Sequence, residues 1–313
     1  MANQRLAVLL IGLGGGAAIA LIGYVGARAI GADVFAAGWA IPVAMALHAL
    51  QLLLSARAWR DAAGDVPPPL ADWLRIRWVR EAVNAMLPVA QLGGNLVGIR
   101  LLMQRGLKAP LAGAATTFDM TAEALAQAVF TLVGIAAVGG GGRWLGGGAA
   151  LMALGVLLFM LAQRAGLLRL VEGVALRLPA LPPDALRGLH AELMRLQRDK
   201  ARIARCIGLH LVAWLLGVAE TWIVLAALGQ PLGGVAALVV ESLGMAARSA
   251  GFAVPGALGV QEGGFVLAGG LVGLPPDAAI ALSMVKRARE LAVGIPGLLV
   301  WHWTEARRHV TAG

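Results

Sequence analysis

The sequence predicts an all-α polytopic membrane protein with about eight helical membrane segments. Two of these are Pro/Gly-broken hairpins, and the whole is arranged as two inverted repeats. Three observations predict this. Hydrophobic residues make up 59% of the 313-residue chain and charged residues only 14%, with a mean hydropathy of +0.78, whereas soluble domains carry about 25% charged residues. Apolar spans of about 20 residues recur along the chain. Finally, two stretches 167 residues apart, Leu87–Asn95 and Val254–Gly264, read as edited copies, and each is followed by a glutamate 35 residues after its proline: Glu123 after Pro88, Glu290 after Pro255.

The elements follow in order. Leu6–Ala27 is longer than the ~7–15-residue core of a signal peptide and reads as a retained span. Ala37–Ser55, Leu111–Val138, Trp144–Ala162, Ile207–Leu228 and Asp277–Trp303 are further spans, while Trp73–Gly106 and Ala236–Gly273 are apolar but interrupted. The expectation is one integral membrane domain, 1–313. Residues 1–162 form its first half with a break at 87–95, 163–205 a basic cytoplasmic linker, and 206–313 the second half with a break at 254–264.

Charge sets the topology. Between Arg164 and Arg205 lie nine Lys/Arg and four acids, which marks a cytoplasmic segment. Arg57, Arg60, Arg75, Arg77 and Arg80 mark another, as do Arg307 and Arg308. All these segments fall on one side only if each interrupted stretch enters and returns on the same side. The two halves then have opposite orientations, with both termini cytoplasmic. Charge counting does not separate a re-entrant hairpin from a pair of tight crossings.

Composition also excludes. The formal charge of +9 and pI near 11.2 come from loops and helix ends, so nucleic acid is not the expected partner; anionic lipid at the basic loops is. Cys206 is alone, which leaves no disulfide or cysteine-rich metal site. Gly12–Ala17 imitates a dinucleotide fingerprint but sits inside a span without a βαβ context. No cofactor, metal or catalytic residue is expected.

The candidate site residues cluster at the breaks and in the charged helices. Arg77, Glu81, Asn84 and Pro88 share one helical face, with Arg80 beside them. That face lines a headgroup cavity or belongs to an interfacial helix whose arginines snorkel. Pro88 ends the helix, and Gly93, Gly94 and Asn95 let the backbone turn. In the second copy Glu241 and Arg248 precede Pro255, Gly256, Gly259, Gln261, Glu262 and Gly263. A helix N-terminus freed there would hold a phosphate or carboxylate, or be capped internally by Glu262. Asp119, Glu123 and Gln127 lie at i, i+4 and i+8, while Lys286, Arg287, Arg289 and Glu290 fall in the last span. Each charge costs about 2.5–3.5 kcal/mol at a helix centre, so such groups pair or face water. The repeat alignment matches Asp119 with Lys286 and Glu123 with Glu290, so an acidic cluster in one half opposes a basic cluster in the other. The result is a structural salt-bridge network, a translocation site, or both. His48 with Gln51, and His210 with Glu220, read as interhelical hydrogen bonds.

Arg77-Trp78-Val79-Arg80-Glu81-Ala82-Val83-Asn84, Leu87-Pro88, Gly93-Gly94, and Pro255-Gly256-Ala257-Leu258-Gly259 with Glu262-Gly263 resemble the flippase-like transmembrane region of lysylphosphatidylglycerol synthases. The branch associated with hopanoid biosynthesis looks closest. The resemblance implies an inner-membrane protein that flips an amphiphilic lipid along the two breaks. Synthase activity is not expected, since the sequence ends at Gly313 without a soluble aminoacyl-transferring domain. Ala257 stands where the family pattern has a second glycine, from which a less strained turn is expected. The functional expectation is a non-enzymatic transporter of a hopanoid- or phospholipid-like lipid. The alternatives are an intramembrane lipid-headgroup transferase and a scaffold that partners lipid-biosynthesis enzymes.

Overall fold

The computed structural model describes residues 35, 37–64, 68–87, 93–138, 147, 188–251 and 254–311, with side chains to residue 303 except that of Pro255. The expected spans Leu6–Ala27 and Trp144–Ala162, the Gly12–Ala17 motif and Pro88 lie outside the described residues. Among the described residues the structure is helical, with no strand.

Helix α1, Ala40–Ala63, ends at Gly64, whose φ of +90° is the left-handed cap position that glycine takes without steric penalty. A proline run precedes α2, Leu70–Met86, and the Pro69 carbonyl accepts the Asp72 N–H at 2.9 Å. Trp73 donates from Nε1 to the Pro68 carbonyl and meets Trp59 edge-on, ring centroids 5.3 Å apart, which fixes the start of α2 against α1. Helix α3, Gly93–Gln104, closes with Leu107 N–H on the Leu102 carbonyl. Helix α4, Ala109–Ala137, starts with Pro110 in its first turn, where a missing N–H costs nothing.

Helix α5, Leu189–Leu196, lies within the segment expected as a basic linker. Leu189, Leu193 and Leu196 repeat at helical spacing and are buried with Ala58, Phe118, Ala122 and Cys206. Asp199 then caps α6, Lys200–Ala227, accepting the Arg202 N–H at 3.0 Å. Helix α7, Gly234–Ala250, leads through the 3-10 turn Pro255–Ala257 into α8, Val260–Gly270, and α9, Pro276–Thr311, completes the chain.

Helices α7 and α8 form an antiparallel hairpin. A Cβ on Gly264 would stand 2.4 Å from the Ala247 Cβ, and one on Gly244 would stand 2.6 Å from the Phe265 ring, so only glycine permits this approach. At 17 and 11 residues the two helices are about 25 and 17 Å long. Each is shorter than the ~30 Å hydrocarbon core. On either side of the first break stand α3 and the 17-residue α2, with the Gly94 N–H on Asn84 Oδ1 at 2.8 Å. Helices α4 and α9 begin at Ala109 and Pro276, 167 residues apart.

Helices α1, α4 and α6 are long and apolar enough to cross a membrane. Val212, Leu215 and Trp222 of α6 are exposed, as a face turned to lipid requires. The protein is a polytopic helical membrane protein. Packing groups the chain into two compact units interleaved in sequence. One comprises Met1–Leu50, Trp78–Asn95 and Leu215–Gly313; the other comprises Gln51–Arg77 and Leu96–Trp214. The first has its apolar core at Ala40, Ala44, Val224, Phe265, Leu282 and Val285.

Candidate functional site

In the first unit the second break is held from inside. Gly256 and Gly259 have φ of +60° and +78°, so the chain leaves the helical path twice within four residues. The freed N–H of Gly259 donates to Glu262 Oε2 at 2.7 Å. Arg287 then reaches across from α9, donating from Nε to Glu262 Oε1 at 2.6 Å and from Nη1 to the Gly256 carbonyl at 3.0 Å. Of the two roles expected at this terminus, internal capping by Glu262 is the one found, and the anion-like partner is the protein's own carboxylate. The expectation of a less strained turn is corrected: Ala257 has φ +50°, a left-handed conformation that costs an L-residue roughly 1–2 kcal/mol. The turn also approaches the end of α2: a Cβ on Gly256 would lie 3.9 Å from the Ala85 carbonyl.

A chain of buried polar groups extends from this break. Ser283 donates to Glu262 and accepts from Gln261 Nε2 at 2.9 Å. Gln261 accepts from Arg248, which also meets Glu290 at 2.9 Å. Arg289 binds Glu220 at 2.7 Å and the His48 ring at 3.1 Å. Lys286 lies between Glu220 at 3.4 Å and Glu241 at 3.0 Å, and Thr221 donates to Glu241 at 2.6 Å. Glu220 is 0% exposed and Lys286 2%. Charges so far from water persist only when paired and hydrogen-bonded. At its other end the chain reaches a small cleft, open to the outside, lined by His48, Trp78, Glu81, Ala85, Glu290 and Val293.

In the second unit Arg77 donates to Asp119 at 3.2 Å and to both oxygens of Glu123, at 2.8 and 3.3 Å, while His210 Nε2 lies 3.0 Å from Asp119. Asp119, Glu123 and His210 offer three ligand atoms within 4.8 Å of one another. The Arg77 guanidinium already takes the cation's place on both carboxylates, so the donor set does not suit a divalent ion.

Asp119 is bound by Arg77 and His210, and Lys286 by Glu220 and Glu241. One of the expected alternatives is corrected here. Arg77 and Arg80 are 6% and 4% exposed, so they do not snorkel; Arg75 is the exposed one. Of the remaining candidates, Glu81 meets His48 at 2.8 Å, Asn95 is buried, and Gln127 is half-buried. Gly93 opens α3, Pro255 opens the 3-10 turn, and Gly263 donates its N–H to the Gly259 carbonyl. His48, His210 and Glu220, expected as simple hydrogen-bonding points, are full members of the ionic clusters. Thr221 and Ser283 carry no signal in the sequence, because a hydroxyl in an apolar helix usually bonds its own backbone, as Thr116 does with the Ala112 carbonyl.

The described residues form a helical membrane protein with a Pro/Gly-broken hairpin and ionic clusters buried among its helices. The chain belongs to the lysylphosphatidylglycerol synthase TM region family, which it matches over residues 5–297. No curated protein and no solved structure matches it. Membership gives a membrane lipid-related function. It also corrects the expectation of a non-enzymatic chain, since the family is named for a synthase.

Proposed function

We propose that the protein moves an amphiphilic lipid, hopanoid- or phospholipid-like, across the inner membrane, with two inverted halves and both termini cytoplasmic. One observation carries this reading: the buried polar chain of the first unit runs from the Gly256–Gly259 break to the cleft at Glu81 and Glu290. A purely structural pair needs no such continuity. A headgroup passing a bilayer does, because each polar step replaces water that the hydrocarbon lacks. The 167-residue offset between the starts of α4 and α9 supports the repeat, and the short α7–α8 hairpin supports re-entry. Anionic lipid at the basic segment 163–205 and lipid-biosynthesis enzymes are the partners this reading implies. The path residues are Arg80, Glu81, Asn84, Arg248, Gln261, Glu262, Lys286, Arg287 and Glu290 in the first unit, and Arg77, Asp119, Glu123 and Gln127 in the second.

A photoreactive lipid carried in nanodiscs tests this. It is expected to label Ala85 and Val293 of the cleft above the level at the lipid-facing Leu215. Equal labelling at all three positions contradicts the reading. The family's name favours a second reading, a lipid-headgroup transferase with Glu123 or His210 as base. That reading requires a converted lipid product from purified protein.

A further inference from the structure

We infer that His48 is a proton-binding site that controls the hold of Arg289 within the buried polar chain, an inference that does not rest on lipid movement. Both ring nitrogens are engaged: Nδ1 is 3.1 Å from Arg289 Nη1, and Nε2 is 2.8 Å from Glu81 Oε1. A guanidinium has five N–H donors and no acceptor, so Nδ1 accepts there and carries no hydrogen. Toward the Glu81 carboxylate the ring must donate, so Nε2 carries one. The neighbours therefore fix the neutral Nε2–H tautomer. A second proton has one place to go, and Arg289 covers it.

Proton uptake at Nδ1 would set an imidazolium against a guanidinium at hydrogen-bond distance. Arg289 has somewhere to stay when that contact breaks. The same Nη1 donates to Glu220 Oε2 at 2.7 Å, and Nη2 lies 3.8 Å from Glu290 Oε1. The charged groups around the ring come from each helix packed there. They are Glu81 of α2, Glu220 of α6, and Arg289 and Glu290 of α9; Lys286, Glu241 and Arg248 stand behind them through the pairs Lys286–Glu220, Lys286–Glu241 and Arg248–Glu290. The proton has a route, because His48, Glu81 and Glu290 all line the cleft. Imidazole is also the side chain whose charge ordinarily changes between about pH 5 and 8. The polar chain thus has two hydrogen-bond arrangements, selected by a proton entering from the cleft.

The test is 15N NMR of the full chain in nanodiscs, labelled at histidine and arginine. The expected result at pH 8 is one hydrogen on His48, at Nε2. On acidification a second arrives, and the Arg289 side-chain resonances shift in step. Gln offers one acceptor and one donor but binds no proton, so His48→Gln is expected to fold and to abolish the pH-dependent Arg289 shift. A hydrogen on Nδ1 at pH 8 overturns the inference. So does an Arg289 signal that ignores pH in the unaltered protein, or one that still moves in His48→Gln. If His48→Gln does not fold, the tautomer and the Arg289 shift in the unaltered protein decide alone.

Discussion

Arg287 and Glu262 meet at 2.6 Å across the second break, and the same guanidinium reaches the carbonyls of Gly256 and Ala257. One side chain from α9 therefore satisfies the acceptors that the non-helical turn exposes and the carboxylate that caps the helix after it. Removing it leaves a buried carboxylate and bare carbonyls, a loss of about 3–5 kcal/mol for one half of a buried pair. Arg287→Met is expected to lower the melting temperature in detergent by several degrees. Arg287→Lys should recover little, because an ammonium does not make three forked contacts. Recovery of most of the loss by lysine would mean that charge alone holds the turn.

Ala257→Gly should stabilise the protein by about 1 kcal/mol, since glycine adopts the left-handed conformation without the Cβ penalty. The gain is smaller than the full strain because glycine also loses more entropy on folding. Ala257→Val should destabilise, a branched side chain at φ +50° being worse than a methyl. Thermal denaturation of the three proteins side by side checks the order Gly, Ala, Val.

Gly264→Val should force α7 and α8 apart, since even a Cβ at position 264 would stand 2.4 Å from the Ala247 Cβ. Overpacking of this kind costs about 1–3 kcal/mol. Hydrogen exchange should rise along both helices of the hairpin. Exchange confined to α8 would place the strain elsewhere.

In the second unit, Arg77→Met leaves Asp119, fully buried, and Glu123 sharing a site without their guanidinium. A loss of about 3–5 kcal/mol is expected, and adding Asp119→Asn should restore much of it by removing one of the two stranded charges. A double-mutant cycle on thermal stability measures the coupling. Strict additivity would mean that the pair contributes nothing.

The turn at Gly256–Gly259 and the buried acids were legible in the sequence for local reasons. Proline and glycine disrupt a helix wherever they fall, and an acid within an apolar run is conspicuous by itself. What those acids bind was not legible, because pairing is tertiary: Asp119 finds Arg77 42 residues away and His210 91 residues away, and Glu220 finds Arg289 69 residues away. Helix α5 was hidden for another reason. Its three leucines lie among arginines, and a charge count over the whole segment drowns their spacing.

The most direct measurement is headgroup accessibility in proteoliposomes carrying a quenchable fluorescent lipid. Unaltered protein, and the Arg195→Ala variant of an exposed surface pair, should expose inner-leaflet lipid to the quencher. Lys286→Met, which takes the cation from Glu241 and leaves Glu220 to Arg289 alone, should slow that exposure at least tenfold while the folded protein still reconstitutes. Equal rates in protein-free liposomes and in all three proteins would contradict lipid movement through the buried polar chain.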